Sequence, residues 1–135
     1  MSFTDKFRTQ HNEILVIAKD MSTELKGEAD AAVLRKLLSN LAGKLNFHLA
    51  MEDQALYPRL MERKDADAKG MAKKFMDEMG GLGKVFGTYN DKWQVSAIRK
   101  DPAGFASETQ AVFAALTKRI QRENTELYPL ADRTS

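Results

Sequence analysis

Cysteine is absent from the 135-residue sequence, which excludes disulfides, thiolate metal sites and thiol redox chemistry. A metal site would have to be built from His, Glu, Asp or Tyr side chains, and the sequence has two histidines in all. No apolar run approaches the roughly 18 residues typical of a membrane span, and the first ten residues, MSFTDKFRTQ, do not place an apolar segment after a basic one. We therefore expect a soluble cytoplasmic protein without a membrane partner.

An excess of charge of one sign is also lacking. The 21 basic and 19 acidic residues are interleaved along the chain and leave a formal net charge of +2. Without a basic stripe or an acidic tail, the sequence gives no support to nucleic-acid binding. Its length and its 43% of hydrophobic residues suffice for one globular domain, which we expect to span residues 1–135.

The most informative segment is FHLAMEDQALYP, from Phe47 to Pro58, which places His48 and Glu52 four positions apart. In a helix, residues at i and i+4 lie on the same face. Apolar residues recur around these two with the helical period of 3.6, at Leu34, Leu38, Leu41, Leu45, Leu49 and Leu56. Since His48 and Glu52 fall within that stripe, both should point inward, where they must be paired, hydrogen-bonded or bound to metal.

A second copy of this segment follows 71 residues later. The run RIQRENTELYP, residues 119–129, repeats the frame of HLAMEDQALYP, so that Glu123 matches Glu52 and the Leu-Tyr-Pro triplets coincide. The histidine is not repeated, because Arg119 stands at the position that matches His48. An internal repeat of this length predicts two similar helical hairpins within one domain.

The first two helices are predicted from caps and periodicity. The first begins near Ser2 or Thr4, either of which can cap a helix, and runs to about Leu25 with His11 on its apolar face. The second is capped by Asp30 and carries the segment around His48. Both histidines are therefore predicted to point into the interior.

Two more helices complete the prediction. The third has an apolar face from Met71 to Trp93, and the fourth begins at Asp101 and Pro102 and has Arg119 and Glu123 on its inner face. Four helices that are each apolar on one face predict an all-α, up-down-up-down four-helix bundle. Four glycines interrupt the third helix, and we favour close helix contact or a local irregularity as their reason over an opening beside His48: Gly80, Gly81, Gly83 and Gly87.

These residues resemble the hemerythrin-like family, also called HHE domains, over nearly the whole chain. The family pattern is a histidine on helix one, His-x3-Glu on helix two, a histidine on helix three and His-x3-Glu on helix four. His11, the pair His48 and Glu52, and Glu123 match it, and both glutamates are followed by Leu-Tyr-Pro. The resemblance implies a four-helix bundle that holds two non-haem irons bridged by carboxylates, with oxygen or nitric oxide binding, iron sensing or peroxide chemistry as the associated functions.

Two family positions depart from this pattern. Met79 stands at the helix-three histidine and Arg119 at the helix-four histidine, and in the family these two histidines serve the same iron. A guanidinium has no lone pair to give, and a thioether is a poor ligand for a hard or borderline cation. The resemblance therefore implies a degenerate half-site that binds at most one ion, with these ligands: His11, His48, Glu52 and Glu123.

Two interpretations of this half-site remain open. In the first, it binds one Fe(II), Zn(II) or Mn(II) ion and leaves an open position for a small diatomic ligand. In the second, no metal is bound, and Arg119 replaces the metal charge by pairing with Glu52 and Glu123.

Three function classes follow, and we favour them in this order: a one-metal module for sensing, storage or regulation, a metal-free interaction or regulatory bundle, and a small non-haem iron enzyme. The sequence shows no Ser-His-Asp set and no phosphate-binding loop, so catalysis has the least support. We expect a monomer or weak homodimer, and no feature identifies a protein partner.

Overall fold

The computed structural model of the protein describes residues 2–27, 30–62 and 66–133, with side chains except at positions 79 and 80. Every regular element in these ranges is helical. The elements are α1 (Asp5–Lys26), α2 (Ala31–Met51), the π-helical turn π1 (Glu52–Leu56), α3 (Tyr57–Met61), α4 (Ala66–Lys92), α5 (Val95–Lys100), α6 (Pro102–Arg122), the turn π2 (Glu123–Leu127) and α7 (Tyr128–Asp132).

The predicted all-α bundle is confirmed. Its four long rods are α1, α2 continued by α3, α4, and α6 continued by α7; α1 packs most extensively on α2, and α6 contacts both α1 and α4. The short helix α5 was not predicted. It packs on α2 because Trp93 just before it and Ile98 within it are buried. None of the helices in the described ranges is long and apolar enough to cross a membrane.

The helix ends match the predicted caps in position but not always in bonding. Asp101 accepts a hydrogen bond from the Gly104 N–H at 2.9 Å, as an N-cap should. Thr4 precedes α1 but makes no capping bond; its hydroxyl instead donates to Asp132 at 2.7 Å, and its N–H donates to the same carboxylate at 3.1 Å. The start of α1 is thereby tied to the end of α7.

Both repeated segments contain a π turn at the same place. The N–H of Tyr57 bonds to the carbonyl of Glu52, and the N–H of Tyr128 bonds to the carbonyl of Glu123. In an α-helix, a residue five positions on is rotated by about 140° around the axis. The i→i+5 bond of a π turn instead brings it back over residue i. The sequence left open whether the helix would kink or stop at Tyr57-Pro58, and the structure shows that the rod continues through this turn.

The interior is divided by a polar layer. One large apolar cluster fills the end of the bundle that contains Ile14, Leu45 and Ile120. A second fills the other end, around Phe7 and Leu56. Along each contributing helix, the polar layer lies between residues of the two clusters, and its buried polar members are His11, His48, Glu52 and Glu123.

No neighbouring helix in the described ranges comes unusually close to α4 at the glycines Gly81, Gly83 and Gly87. The helix runs through them without a break, and a methyl group added at Gly81 or Gly87 would meet no atom within 4 Å. At Gly83 it would lie 3.9 Å from Leu49 Cδ1, which is an ordinary van der Waals distance. The favoured interpretation of close contact or local irregularity is therefore wrong at these three positions, and Gly80 lies outside the described side chains.

Candidate metal centre

The structure brings together the four residues that the sequence indicated. His11 comes from α1, His48 from α2, and Glu52 and Glu123 are the first residues of π1 and π2. One ligand atom from each lies within 4.8 Å of the others, and all four residues are at most 1% exposed. Four side chains of types that can bind a metal ion, from three rods, thus converge on one buried point.

The spacing of these atoms suits a single ion. His11 Nε2 lies 2.9 Å from Glu123 Oε1, and His48 Nε2 lies 3.3 Å from Glu52 Oε1 and 3.8 Å from Glu123 Oε1. Ligands at the usual bond lengths around a tetrahedral or octahedral ion are separated by about 3.0 to 3.4 Å. Small side-chain shifts would therefore place all four donors on one ion.

Two amides orient the imidazoles. His11 Nδ1 donates to Asn124 Oδ1 at 2.8 Å, and His48 Nδ1 donates to Gln10 Oε1 at 2.7 Å. Because an amide oxygen only accepts, each Nδ1 carries the proton and each Nε2 faces the cluster. Such outer hydrogen bonds fix the tautomer and ring orientation of metal-binding histidines. Sequence analysis missed both amides, although each adjoins a predicted ligand in the sequence.

Tyr128 is a further member of the cluster that sequence analysis did not single out. Its hydroxyl donates to Glu52 Oε2 at 2.7 Å and lies 3.0 Å from His11 Nε2 and 3.4 Å from His48 Nε2. Burial, together with Glu123 and Glu52, raises the pKa of Tyr128, so the metal-free protein holds it as a neutral phenol. The repeated Leu-Tyr-Pro triplet was the signal that could have identified it.

The two glutamates of the metal-free cluster differ in the direction of their pKa shifts. Burial raises the pKa of Glu52, whereas contacts with His11 and His48 outweigh burial at Glu123 and lower its pKa. Burial alone would lower the pKa of His48, but Glu123 and Glu52 together raise it to about 9. A charged His48 and an ionised Glu123 therefore compensate each other, and a metal ion would have to displace the His48 proton.

Arg119 does not occupy the role that the metal-free interpretation gave it. Its guanidinium pairs through Nη2 with Glu78, a residue of α4, and stacks 4.9 Å from the centroid of the Phe75 ring. Arg122 pairs with the same Glu78 oxygen at 2.7 Å. The expected pairing of Arg119 with Glu52 and Glu123 is thus replaced by a pair with Glu78, and Arg119 itself is buried. Met79, the other departing position, lies in α4, and its side chain is outside the described residues.

Among the described residues, four buried polar atoms in and beside the cluster have no hydrogen-bond partner: Glu52 Oε1, Glu123 Oε2, Tyr57 Oη and Arg119 Nη1. Buried polar groups normally have a partner, so unsatisfied carboxylate oxygens at the meeting point of two imidazoles are suited to a cation. The donor set of two neutral imidazoles and two carboxylates is one that iron, zinc and manganese accept. The residues therefore fit a metal ion.

The fold and the cluster together define a helical bundle with a buried His/Glu cation site. A family model, the hemerythrin HHE cation-binding domain, matches residues 2–131, and the chain belongs to this family. The comparisons with curated proteins and with solved structures found no match.

Proposed function

We propose that the protein binds one metal ion per chain, non-haem iron or zinc, and uses it for sensing, storage or regulation. The ligands are His11, His48, Glu52 and Glu123. The observation that carries this proposal is the convergence of their ligand atoms within 4.8 Å in a fully buried position. When bound, the ion supplies a Lewis-acidic centre and, in the case of iron, a redox-active one.

Charge supports a single ion. A divalent cation with two carboxylates and two neutral imidazoles is electrically neutral, which suits a site enclosed by two apolar clusters. The two histidines of the chain are both used by this one site, and Arg119 stands at the sequence position where a second ion would need a histidine. A guanidinium has no lone pair to give, so Arg119 cannot bind a second cation.

A small diatomic molecule is the second ligand that we infer. Four protein ligands leave two positions of an octahedral ion open. Nitric oxide added to the ferrous protein should therefore produce the paramagnetic signal of an iron nitrosyl, whereas a site closed by its protein ligands would give none.

The metal-free alternative is less well supported. It required Arg119 to neutralise Glu52 and Glu123, whereas Arg119 pairs with Glu78. The two alternatives also differ in a measurable property, because added metal should not change the melting temperature of a protein whose cluster is purely structural.

Metal analysis of anaerobically purified and reconstituted protein tests the proposal. We expect no more than one tightly bound ion per chain, and an increase in melting temperature on adding metal through mass action. Glu123→Gln should abolish tight binding, while the control Glu13→Gln, at an exposed residue paired with Lys44, should leave it unchanged. Two tight ions per chain, or no binding at all, would contradict the proposal.

A further inference from the structure

We propose that the hydroxyl of Tyr128 is a fifth protein ligand, whose phenolate makes the site prefer a trivalent ion, ferric iron in particular. This inference rests on the proposed metal site and assigns it one more donor and an oxidation state.

The position of the hydroxyl is the first reason. It lies 2.7 Å from Glu52 Oε2, 3.0 Å from His11 Nε2 and 3.4 Å from His48 Nε2. These separations overlap the range of 2.9 to 3.8 Å among the four other donor residues, so the phenol oxygen lies within reach of the same ion. Tyr128 is fully buried, and it therefore has no access to an alternative partner in solvent.

The backbone holds this position independently of any ion. The π2 turn places Tyr128 over Glu123, because the Tyr128 N–H bonds to the Glu123 carbonyl. The Tyr128 ring also stacks on His11, with centroids 5.2 Å apart, and packs against Phe7 at 5.8 Å. A phenol fixed between two rings meets the ion without a conformational change.

Charge selects the oxidation state. Glu52 and Glu123 neutralise a divalent ion, so a phenolate would leave an excess negative charge in an apolar interior. With a trivalent ion, two carboxylates and one phenolate restore neutrality, and anionic oxygen donors suit a hard cation. Binding would form a metal–oxygen bond and break the phenol O–H bond, and the protons of the phenol and of His48 would both leave to solvent. Glu52 would lose the hydrogen bond from Tyr128 and turn to the ion.

The repeat supplies a matched control. Tyr57 stands five residues after Glu52, as Tyr128 stands five after Glu123, but its buried hydroxyl finds no hydrogen-bond partner in the part of the chain that the structure describes. Removal of the Tyr57 hydroxyl therefore changes the same group in the other copy of the repeat and leaves the proposed ligands unchanged.

The experiment titrates metal-free wild type, Tyr128→Phe and Tyr57→Phe with ferric citrate and, separately, with Zn(II). We expect wild type and Tyr57→Phe to develop the visible phenolate-to-iron charge-transfer band, and Tyr128→Phe to bind ferric iron about tenfold or more weakly without that band. All three should bind Zn(II) with similar affinity, which also reports that Tyr128→Phe is folded. Tyrosinate vibrations in the resonance Raman spectrum of the wild type provide a test that needs no variant.

Ferric binding at one ion per chain without the band, a band that persists in Tyr128→Phe, or a band lost only in Tyr57→Phe would each overturn the assignment of Tyr128. Failure of the wild type to bind either ion would instead refute the proposed function. The two failures are thus distinguishable.

Discussion

Tyr57 and Tyr128 occupy equivalent positions of the two repeats, yet Tyr128 donates a 2.7 Å hydrogen bond to Glu52, whereas the buried hydroxyl of Tyr57 has no partner within residues 2–27, 30–62 and 66–133 as described. The difference follows the distribution of the histidines. The Tyr128 hydroxyl lies 3.0 Å from His11 Nε2 and 3.4 Å from His48 Nε2, whereas Arg119 stands at the repeat position that matches His48. The two copies of the repeat thus share their backbone geometry but differ in the hydrogen bonds of their tyrosines.

Removal of the two tyrosine hydroxyls should have opposite effects on metal-free stability. Tyr57→Phe deletes a buried, unsatisfied hydroxyl and should be neutral or stabilise by up to about 1 kcal/mol. Tyr128→Phe deprives Glu52 of its donor and should cost about 1 to 3 kcal/mol. Urea unfolding followed by circular dichroism measures both, and a Tyr57→Phe variant less stable than Tyr128→Phe would contradict the assigned contacts.

The stability of the metal-free protein should decrease from pH 6.5 to about 9. The pKa of His48 is raised from 6.5 to about 9, so its charged form stabilises the fold fully below the lower value and the contribution is lost as the pH rises to the upper one. The loss should be at most about 3 kcal/mol. Chelator-treated protein unfolded at a series of pH values measures it. His48→Gln should flatten the profile; an unchanged slope would assign the effect elsewhere.

The two amides should contribute to metal affinity without contacting the ion. Replacing Gln10 or Asn124 with methionine or leucine, respectively, removes the acceptor of one Nδ1–H and should weaken metal binding about 10- to 100-fold. The exposed Gln110 provides the control, since Gln110→Met leaves both imidazoles oriented. Competition with a chromophoric chelator gives the affinities, and equal affinities in all variants would show that packing alone orients the rings.

A second ion site should be recoverable. The double variant Met79→His, Arg119→His restores the two family histidines and should bind one more ion than the wild type, with added stability in excess iron. Arg119→Met alone should cost only about 1 kcal/mol, because Glu78 keeps Arg122 as its partner. Calorimetric titration measures the stoichiometry; a double variant that still binds one ion would show that the second half lacks more than these histidines.

The glycines of α4 lower stability and can be replaced. Gly81→Ala and Gly87→Ala should each stabilise by about 0.8 to 1 kcal/mol, since a methyl group meets nothing within 4 Å at either position. Gly104→Ala is the contrasting variant, because its Cβ would clash with the Asp101 carboxylate and disrupt the cap of α6. Thermal melts compare the three, and destabilisation by Gly81→Ala or Gly87→Ala would reveal a packing role for the glycine.

Helical periodicity was sufficient to predict the bundle and the convergence of His11, His48, Glu52 and Glu123, because all four lie on apolar faces with regular 3.6 spacing. It was not sufficient for Tyr128. Counted along an α-helix, that residue points about 140° away from Glu123. The π turn reduces this angle, and hydrophobic periodicity does not predict such a turn. The repeated Leu-Tyr-Pro triplets did indicate that the two segments share a local structure.

The supporting amides and the partner of Arg119 depend on contacts between rods. Gln10 adjoins His11 but orients His48, and Asn124 adjoins Glu123 but orients His11. Arg119 is buried, as its place on the inner face predicted, but it pairs with Glu78 of the facing helix instead of Glu52 and Glu123. Arg122 shares that partner. No spacing rule within one helix predicts such pairs, because they are set by the relative height of neighbouring rods.

The polar layer also bears on how the protein opens. Because it separates two apolar clusters, the end built from the start of α1, α3, the start of α4 and α7 can lose its order while the larger cluster persists. Amide hydrogen exchange in metal-free protein should then fall into two cooperative units. An ion bound by ligands from α1, α2 and the π turns would connect the rods between the two clusters. Metal binding should therefore couple the opening of the two clusters, so that their amides exchange as a single cooperative unit.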